Sequence, residues 1–201
     1  MTTVYFVRHS KPDHTVQEDA ARPLNAEGMR NRWIVADYLA DKGIEAVLSS
    51  PYKRAVDTVV ELAEKNGLEI KKIHDFRERR PASEWIPDDV FLGFVEKQWA
   101  NFDYSYGDGE SLREVQQRNI AALDDVLWQY EGKTIAIGTH GTALSTIINY
   151  YEPKYSHADF MAMIKLTPWI VRMDFQGAEF RGIEKINVLE LYKIPFDNTV
   201  K

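Results

Sequence analysis

The chain has 201 residues, 44% of them hydrophobic, no cysteine and a formal net charge of −6. This length and apolar content fit a single domain over residues 1–201 with a substantial core; the acidic balance argues against nucleic-acid or anionic-membrane partners yet leaves room for a small basic pocket holding an anionic metabolite. Without cysteine there is no disulfide, thiolate or zinc-thiolate chemistry, and with no basic leader or apolar run long enough for a signal peptide or membrane span, the cytoplasm is the expected location.

Val4-Tyr5-Phe6-Val7 is a run of four apolar residues that ends abruptly in Arg8 and His9. Such a run suits a strand covered on both faces, as in a parallel sheet flanked by helices, whose carboxyl end opens where α/β proteins bind ligands. The bland alternative is a charged strand tip meeting solvent. Ser10 to Pro23 is polar with two prolines and predicts a loop over the sheet edge. Asn25 then caps a helix over 26–42, stopped by Gly43. Ile44 to Ser49 is a short strand, and Ser50-Pro51 offers a capping hydroxyl and a proline at the first helical position of a helix running to Asn66-Gly67. Lys53 and Arg54 fall in the first turn of that helix, where a base is penalised by about 0.3–1 kcal/mol. Arg54 beside free helix N–H groups is either an anion trap or a solvated side chain.

Glu69 to His74 predicts a third strand, with Phe76-Arg77-Glu78-Arg79-Arg80 at its end. Between Pro81 and Gly109 the chain is punctuated by Pro87, Gly93 and Gly107 and dense in Trp85, Phe91, Phe94, Trp99, Phe102, Tyr104 and Tyr106. It reads as a lid inserted at about 79–110, with one helix near 88–101 whose aromatics mostly pack on the body. Ser111-Leu112-Arg113-Glu114 is a capping-box pattern opening a helix to Tyr130. A fourth strand over 134–137 closes in Gly138-Thr139-His140-Gly141, and a helix follows over 142–150. Trp169 to Phe175 and Phe180 to Leu191 predict antiparallel strands joined through Gln176-Gly177. The expected fold is α/β in three layers, with a mostly parallel central sheet, helices on both faces and the inserted lid.

A parallel sheet brings its carboxyl ends to one edge, where His9, Arg54, Glu78 and His140 can converge. Val7-Arg8-His9-Ser10, Pro23-Leu24 with Gly28, Ser49-Ser50-Pro51-Tyr52-Lys53-Arg54-Ala55, Gly109-Glu110-Ser111 and Gly138-Thr139-His140-Gly141 together resemble the motifs of the histidine phosphatase superfamily, with its phosphoglycerate-mutase-like fold. The resemblance spans roughly Val4 to Thr146. It implies that His9 attacks phosphorus and becomes a phosphohistidine, that Arg8 and Arg54 bind the phosphoryl oxygens, that His140 is a further donor, and that Glu78 protonates the leaving oxygen and then activates water. It implies no cofactor and no metal. Arg77, Arg79 and Arg80 should favour the Glu78 carboxylate, whereas an acid must carry a proton; an arriving dianion is the expected opposing push.

Two positions depart from the pattern. Ser10 stands where a glycine usually follows the nucleophile, and Thr15 where many relatives carry an asparagine that touches phosphate. His14, His74 and His157 match nothing in it and read as surface or core residues. The function implied is a phosphatase acting on a small phosphorylated metabolite. The alternatives are a phosphoglycerate mutase, for which the chain looks short and lacks a long carboxyl-terminal tail although Arg79 and Arg80 can grip a carboxylate, and a non-catalytic phospholigand-binding domain. The sequence sets no oligomeric state.

Overall fold

The computed structural model describes residues 1–82 and 88–194; Trp85 and Pro87 of the expected lid lie outside the described residues. Among those described, six strands form one sheet: β1 (Thr2–Arg8), β2 (Ala46–Ser49), β3 (Ile70–Lys72), β4 (Thr134–Thr139), β5 (Trp169–Gln176) and β6 (Glu179–Ile186). Their order is β3-β2-β4-β1-β5-β6. The four strands β3, β2, β4 and β1 are mutually parallel, β5 pairs antiparallel with β1, and β6 antiparallel with β5. The described helices are α1 (Ala26–Tyr38), α2 (Lys53–Asn66), α3 (Asp88–Ala100), α4 (Leu112–Gln129), α5 (Gly141–Tyr151), α6 (His157–Met163) and α7 (Val188–Leu191).

Successive side chains of a strand point to opposite faces, so an unbroken apolar strand supplies two cores at once. Val4 and Phe6 of β1 enter one core beside Ile135 and Ile137 of β4, under Leu123 of α4, Leu144 of α5, Phe160 of α6 and Phe94 of α3. Tyr5 and Val7 enter the other beside Ala136, under Ile34 of α1, Leu62 of α2 and Val188 of α7. Helices therefore cover both faces of the sheet, as the apolar run at the start of the chain requires. The expected packing of the aromatic segment also holds for most of its described members: Phe94 is buried, and Phe91, Trp99 and Tyr104 pack against the same core.

Several local readings are corrected. Helix α1 stops at Tyr38, and the chain turns through Gly43, whose φ is +65°. Helix α2 begins at Lys53, not Pro51, and Tyr52 caps it without a side-chain bond. Strand β6 ends at Ile186, because the Asn187 side chain accepts from Glu190 N and starts the short helix α7. Helix α6 was not expected, although Ser156-His157-Ala158-Asp159 forms a capping box and was a readable start signal.

The loop after β1 is pinned at its far end. Pro12 and Leu24 form an isolated antiparallel bridge, and Asn25 N donates to Lys11 O at 3.0 Å. A Cβ on Gly28 would lie 2.2 Å from that same carbonyl oxygen, so the close approach of loop and helix requires glycine there.

Candidate active site

His9 directly follows β1 and extends its pairing, donating its backbone N–H to Thr139 O at 3.0 Å. His140 directly follows β4, Arg54 lies in the first turn of α2 after β2, and Glu78 follows β3 through a single 3-10 turn over His74–Phe76. The parallel topology thus brings the residues singled out in the sequence to one edge. The His9 and His140 rings stand 5.3 Å apart, centroid to centroid. Arg8, His9, Arg54 and His140 are all buried.

The His9 ring is held by one bond, from Nδ1 to Ser10 O at 2.7 Å. A carbonyl only accepts, so Nδ1 carries the proton and Nε2 keeps its lone pair. Burial, reinforced by the charges of Arg54 and Arg8, holds the His9 pKa well below the usual histidine value. The same forces, burial first and Arg54 next, act on His140. Both imidazoles are therefore neutral at physiological pH. His140 Nε2 meets Ser50 Oγ at 2.7 Å, and that hydroxyl also accepts from Tyr52 N at 3.2 Å. A serine hydroxyl that accepts from Tyr52 N can still either donate to Nε2 or accept from it, and His140 Nδ1 is buried without a partner.

Arg8 lies under the site. Its Nη1 donates to the carbonyls of Met163, Ile164 and Leu166 at 2.8–3.0 Å, around the end of α6, while its Nε is buried without a partner. Burial lowers its pKa to about 10, which leaves it charged at neutral pH. Arg54 faces a carboxylate already present: Nη1 lies 3.1 Å from Asp19 Oδ1, and Nη2 donates to Asp19 Oδ2 at 3.2 Å. The Tyr52 ring flanks both the Arg54 guanidinium, at 5.2 Å, and the His140 ring, also at 5.2 Å. Glu78 reaches the start of α5, its Oε2 accepting from Thr142 N at 3.0 Å and its Oε1 from Ala143 N at 3.2 Å and Arg79 N at 2.7 Å.

Other residues weighed from the sequence are placed elsewhere. Arg79 is buried against the rings of Phe91 and Phe94 and bonds Gln98 Oε1, while Arg80 pairs with Asp108 at 2.8 Å. The arginines beside Glu78 in sequence are thus directed to other partners. Thr15 sits in an exposed turn, its hydroxyl donating to Asp13 Oδ1 at 2.7 Å. His74 is exposed beside Asp75. Ser50, Tyr52 and Asp19 were not anticipated. Ser50 reads equally well as a helix cap, Tyr52 lies inside a motif that attaches no role to it, and Asp19 carries no signal that sets it apart in sequence. Among the described residues no group of three histidine, aspartate or glutamate side chains is arranged to hold a metal ion.

The arrangement offers an imidazole with a free lone pair, two buried guanidinium groups, a second neutral imidazole and a carboxylate, all at one sheet edge. Such a set can accept a phosphoryl group on nitrogen and move a proton at the departing oxygen. The family model described as histidine phosphatase superfamily (branch 1) matches residues 4–185. The uncharacterized phosphatase PhoE of Bacillus subtilis is 30% identical over 152 residues, covering 74% of this chain and 76% of PhoE. The probable phosphoglycerate mutase GpmB of Serratia proteamaculans is 29% identical over 161 residues, covering 74% of each chain. Among solved structures, Bacillus stearothermophilus YhfR superposes with a TM-score of 0.74 at 21% identity, covering 90% of this chain and 95% of that one.

Proposed function

The chain belongs to the histidine phosphatase superfamily, and from that premise we propose that it hydrolyses small phosphomonoesters through a phosphohistidine at His9. The observation that carries this reading is the His9 ring itself: Nδ1 is committed to the Ser10 carbonyl, which leaves Nε2 as a neutral nucleophile beside two guanidinium groups. In the first step the Nε2 lone pair forms the N–P bond while the P–O bond to the alcohol breaks, and Glu78 delivers a proton to the departing oxygen. In the second, Glu78 takes a proton from water, the water oxygen bonds to phosphorus, and the N–P electrons return to Nε2, releasing inorganic phosphate. Arg8, Arg54 and His140 supply donors to the equatorial oxygens, so charge stabilisation comes from side chains and the route uses no metal or other cofactor. Residues 1–201 act as one domain in this reading, with the segment at about 79–110 as its lid. A cytoplasmic location fits a cysteine-free chain with no described helix long and apolar enough to cross a membrane.

The arriving phosphate takes over the Arg54 donors from Asp19. Arg54→Ala removes charge-assisted bonds worth about 1.5–3 kcal/mol each, so kcat/KM for a phosphomonoester is expected to fall at least tenfold per lost bond in steady-state assays.

A second reading, transfer back to a phosphoglycerate, is raised by the similarity to GpmB. Against it we set the engagement of Arg79 by Gln98 and two aromatic rings, partners that a substrate carboxylate would have to displace. With 3-phosphoglycerate supplied, inorganic phosphate and 2-phosphoglycerate are followed together, beside a panel of other phosphorylated metabolites. Phosphate is expected to lead; isomerisation outpacing phosphate release refutes the phosphatase.

A further inference from the structure

The segment that carries Glu78 has no sheet or helix to hold it. After the 3-10 turn the backbone from Arg77 to Ala82 is irregular, yet a proton donor has to be fixed to within about 0.5 Å. Several of its backbone groups are bonded by one arginine and one glutamate. Arg118, on α4, donates Nη1 to Asp75 O at 2.6 Å and to Arg77 O at 2.9 Å, and Nη2 to Glu78 O at 3.2 Å. The same guanidinium grips Glu110 twice, Nε to Oε1 at 2.8 Å and Nη2 to Oε2 at 3.1 Å. Glu110 Oε1 in turn accepts from Arg77 Nη2 at 3.0 Å, and Oε2 from Arg80 N at 2.9 Å. A backbone bond from Glu110 N to Arg80 O at 2.8 Å completes the clamp. The two strands of chain are pressed so close that a Cβ on Gly109 would lie 1.7 Å from Pro81 O.

We infer that the Glu110–Arg118 pair is a positioning device for Glu78, holding the proton donor at the entrance of α5 through the backbone on both sides of it. Neither residue is assigned contact with substrate; both act through the carbonyls and N–H groups of the segment 75–80. The pair is well shielded, with side-chain exposures of 14% for Glu110 and 11% for Arg118. Burial pushes the Glu110 carboxyl up, but the bonds from Arg118 and Arg80 N, with the Arg118 and Arg77 charges, outweigh it and hold the group below the usual carboxylate range. A guanidinium is needed because its fork meets a carboxylate through two nitrogens while the remaining N–H groups reach three carbonyls. A lysine has the charge but not the fork.

The inference rests on the reading of Glu78 as proton donor, and the test separates the two. Values of kcat/KM, which report steps through departure of the alcohol, are measured for an alkyl phosphate with a poor leaving group and for an activated aryl phosphate. The proteins are wild type, Arg118→Lys, Glu110→Gln, Glu78→Gln and Arg118→Lys/Glu78→Gln, with thermal unfolding followed for each. In Arg118→Lys, which keeps the positive charge near His140, the aryl-to-alkyl ratio is expected to rise at least tenfold. No further rise is expected on the Glu78→Gln background, since the two changes act through one group. Glu110→Gln, the milder change, carries the same expectation should Arg118→Lys fail to fold. A ratio that stays at the wild-type value in these variants while it rises in Glu78→Gln overturns the positioning role alone. A ratio unchanged in Glu78→Gln overturns the proton-donor reading beneath it. A full additional rise in the double variant assigns the effect to another group and overturns the inference.

Discussion

His9→Ala is expected to lower kcat/KM by on the order of 10⁴-fold or more and to leave no phosphoryl label on the protein. The expectation comes from the commitment of Nδ1 to the Ser10 carbonyl, which directs the other nitrogen to phosphorus. Phosphohistidine is acid-labile and survives alkali, so wild-type protein mixed with labelled substrate is quenched in base, digested, and the label traced to the peptide holding His9. Equal labelling of His9→Ala would sink the assignment. The same ring predicts the acid limb of the reaction. A protonated imidazole has no lone pair, so phosphorylation is lost as pH falls through the folded-state pKa of His9. Burial and the neighbouring arginines set that pKa well below the usual histidine value of about 6.5. The rate of labelling with an aryl phosphate should therefore hold its plateau below that pH; a midpoint at or above it contradicts the neutral, buried nucleophile.

Glu78→Gln is expected to reduce kcat/KM by about 10²–10⁴-fold for an alkyl phosphate, and by much less for an aryl phosphate whose alcohol departs without a proton. The amide keeps the shape of the side chain and one acceptor for the N–H groups of Thr142 and Ala143, but it has no proton of suitable acidity to give. Hydrolysis of the phosphohistidine should slow as well, because the same carboxylate takes the proton from water. Rapid mixing with an aryl phosphate is therefore expected to show a burst of aryl alcohol followed by slow turnover. Equal losses for both substrates, with no burst, would place proton transfer on another residue.

Much of this site could be read from the chain before its structure, for a physical reason. A parallel sheet leaves little freedom over where its strands end, so Arg8-His9 and His140, each after an apolar run, had to meet at one edge, and the α2 turn carrying Arg54 follows the neighbouring strand. Glu78 was placed by the same logic. What escaped sequence reading is set by side-chain choice. Ser50 has an equally good local use as a cap, and its bond to His140 depends on β2 and β4 lying side by side. Asp19 sits in a polar loop where any acid looks solvated, and only the return of that loop over α2 brings it to Arg54. The partners of Arg79 and Arg80, which are Gln98, the lid aromatics and Asp108, lie too far along the chain to be read from it. The start of α6, by contrast, is legible through its capping box.

The place of β1 between β4 and β5 has a consequence for how the protein is made. Thr3 pairs with Thr134 on one side and Asp174 on the other. During synthesis the strand that ends beside His9 emerges well ahead of its partners, which follow more than a hundred residues later. Closing a loop of roughly 130 residues costs about 2 kcal/mol more chain entropy than closing one of ten, before any contact repays it. Until then Val4-Tyr5-Phe6-Val7 is an apolar segment with both edges open, the form most exposed to mispairing with other chains. A nascent chain released before β5 therefore keeps one edge of β1 unpaired, right beside His9.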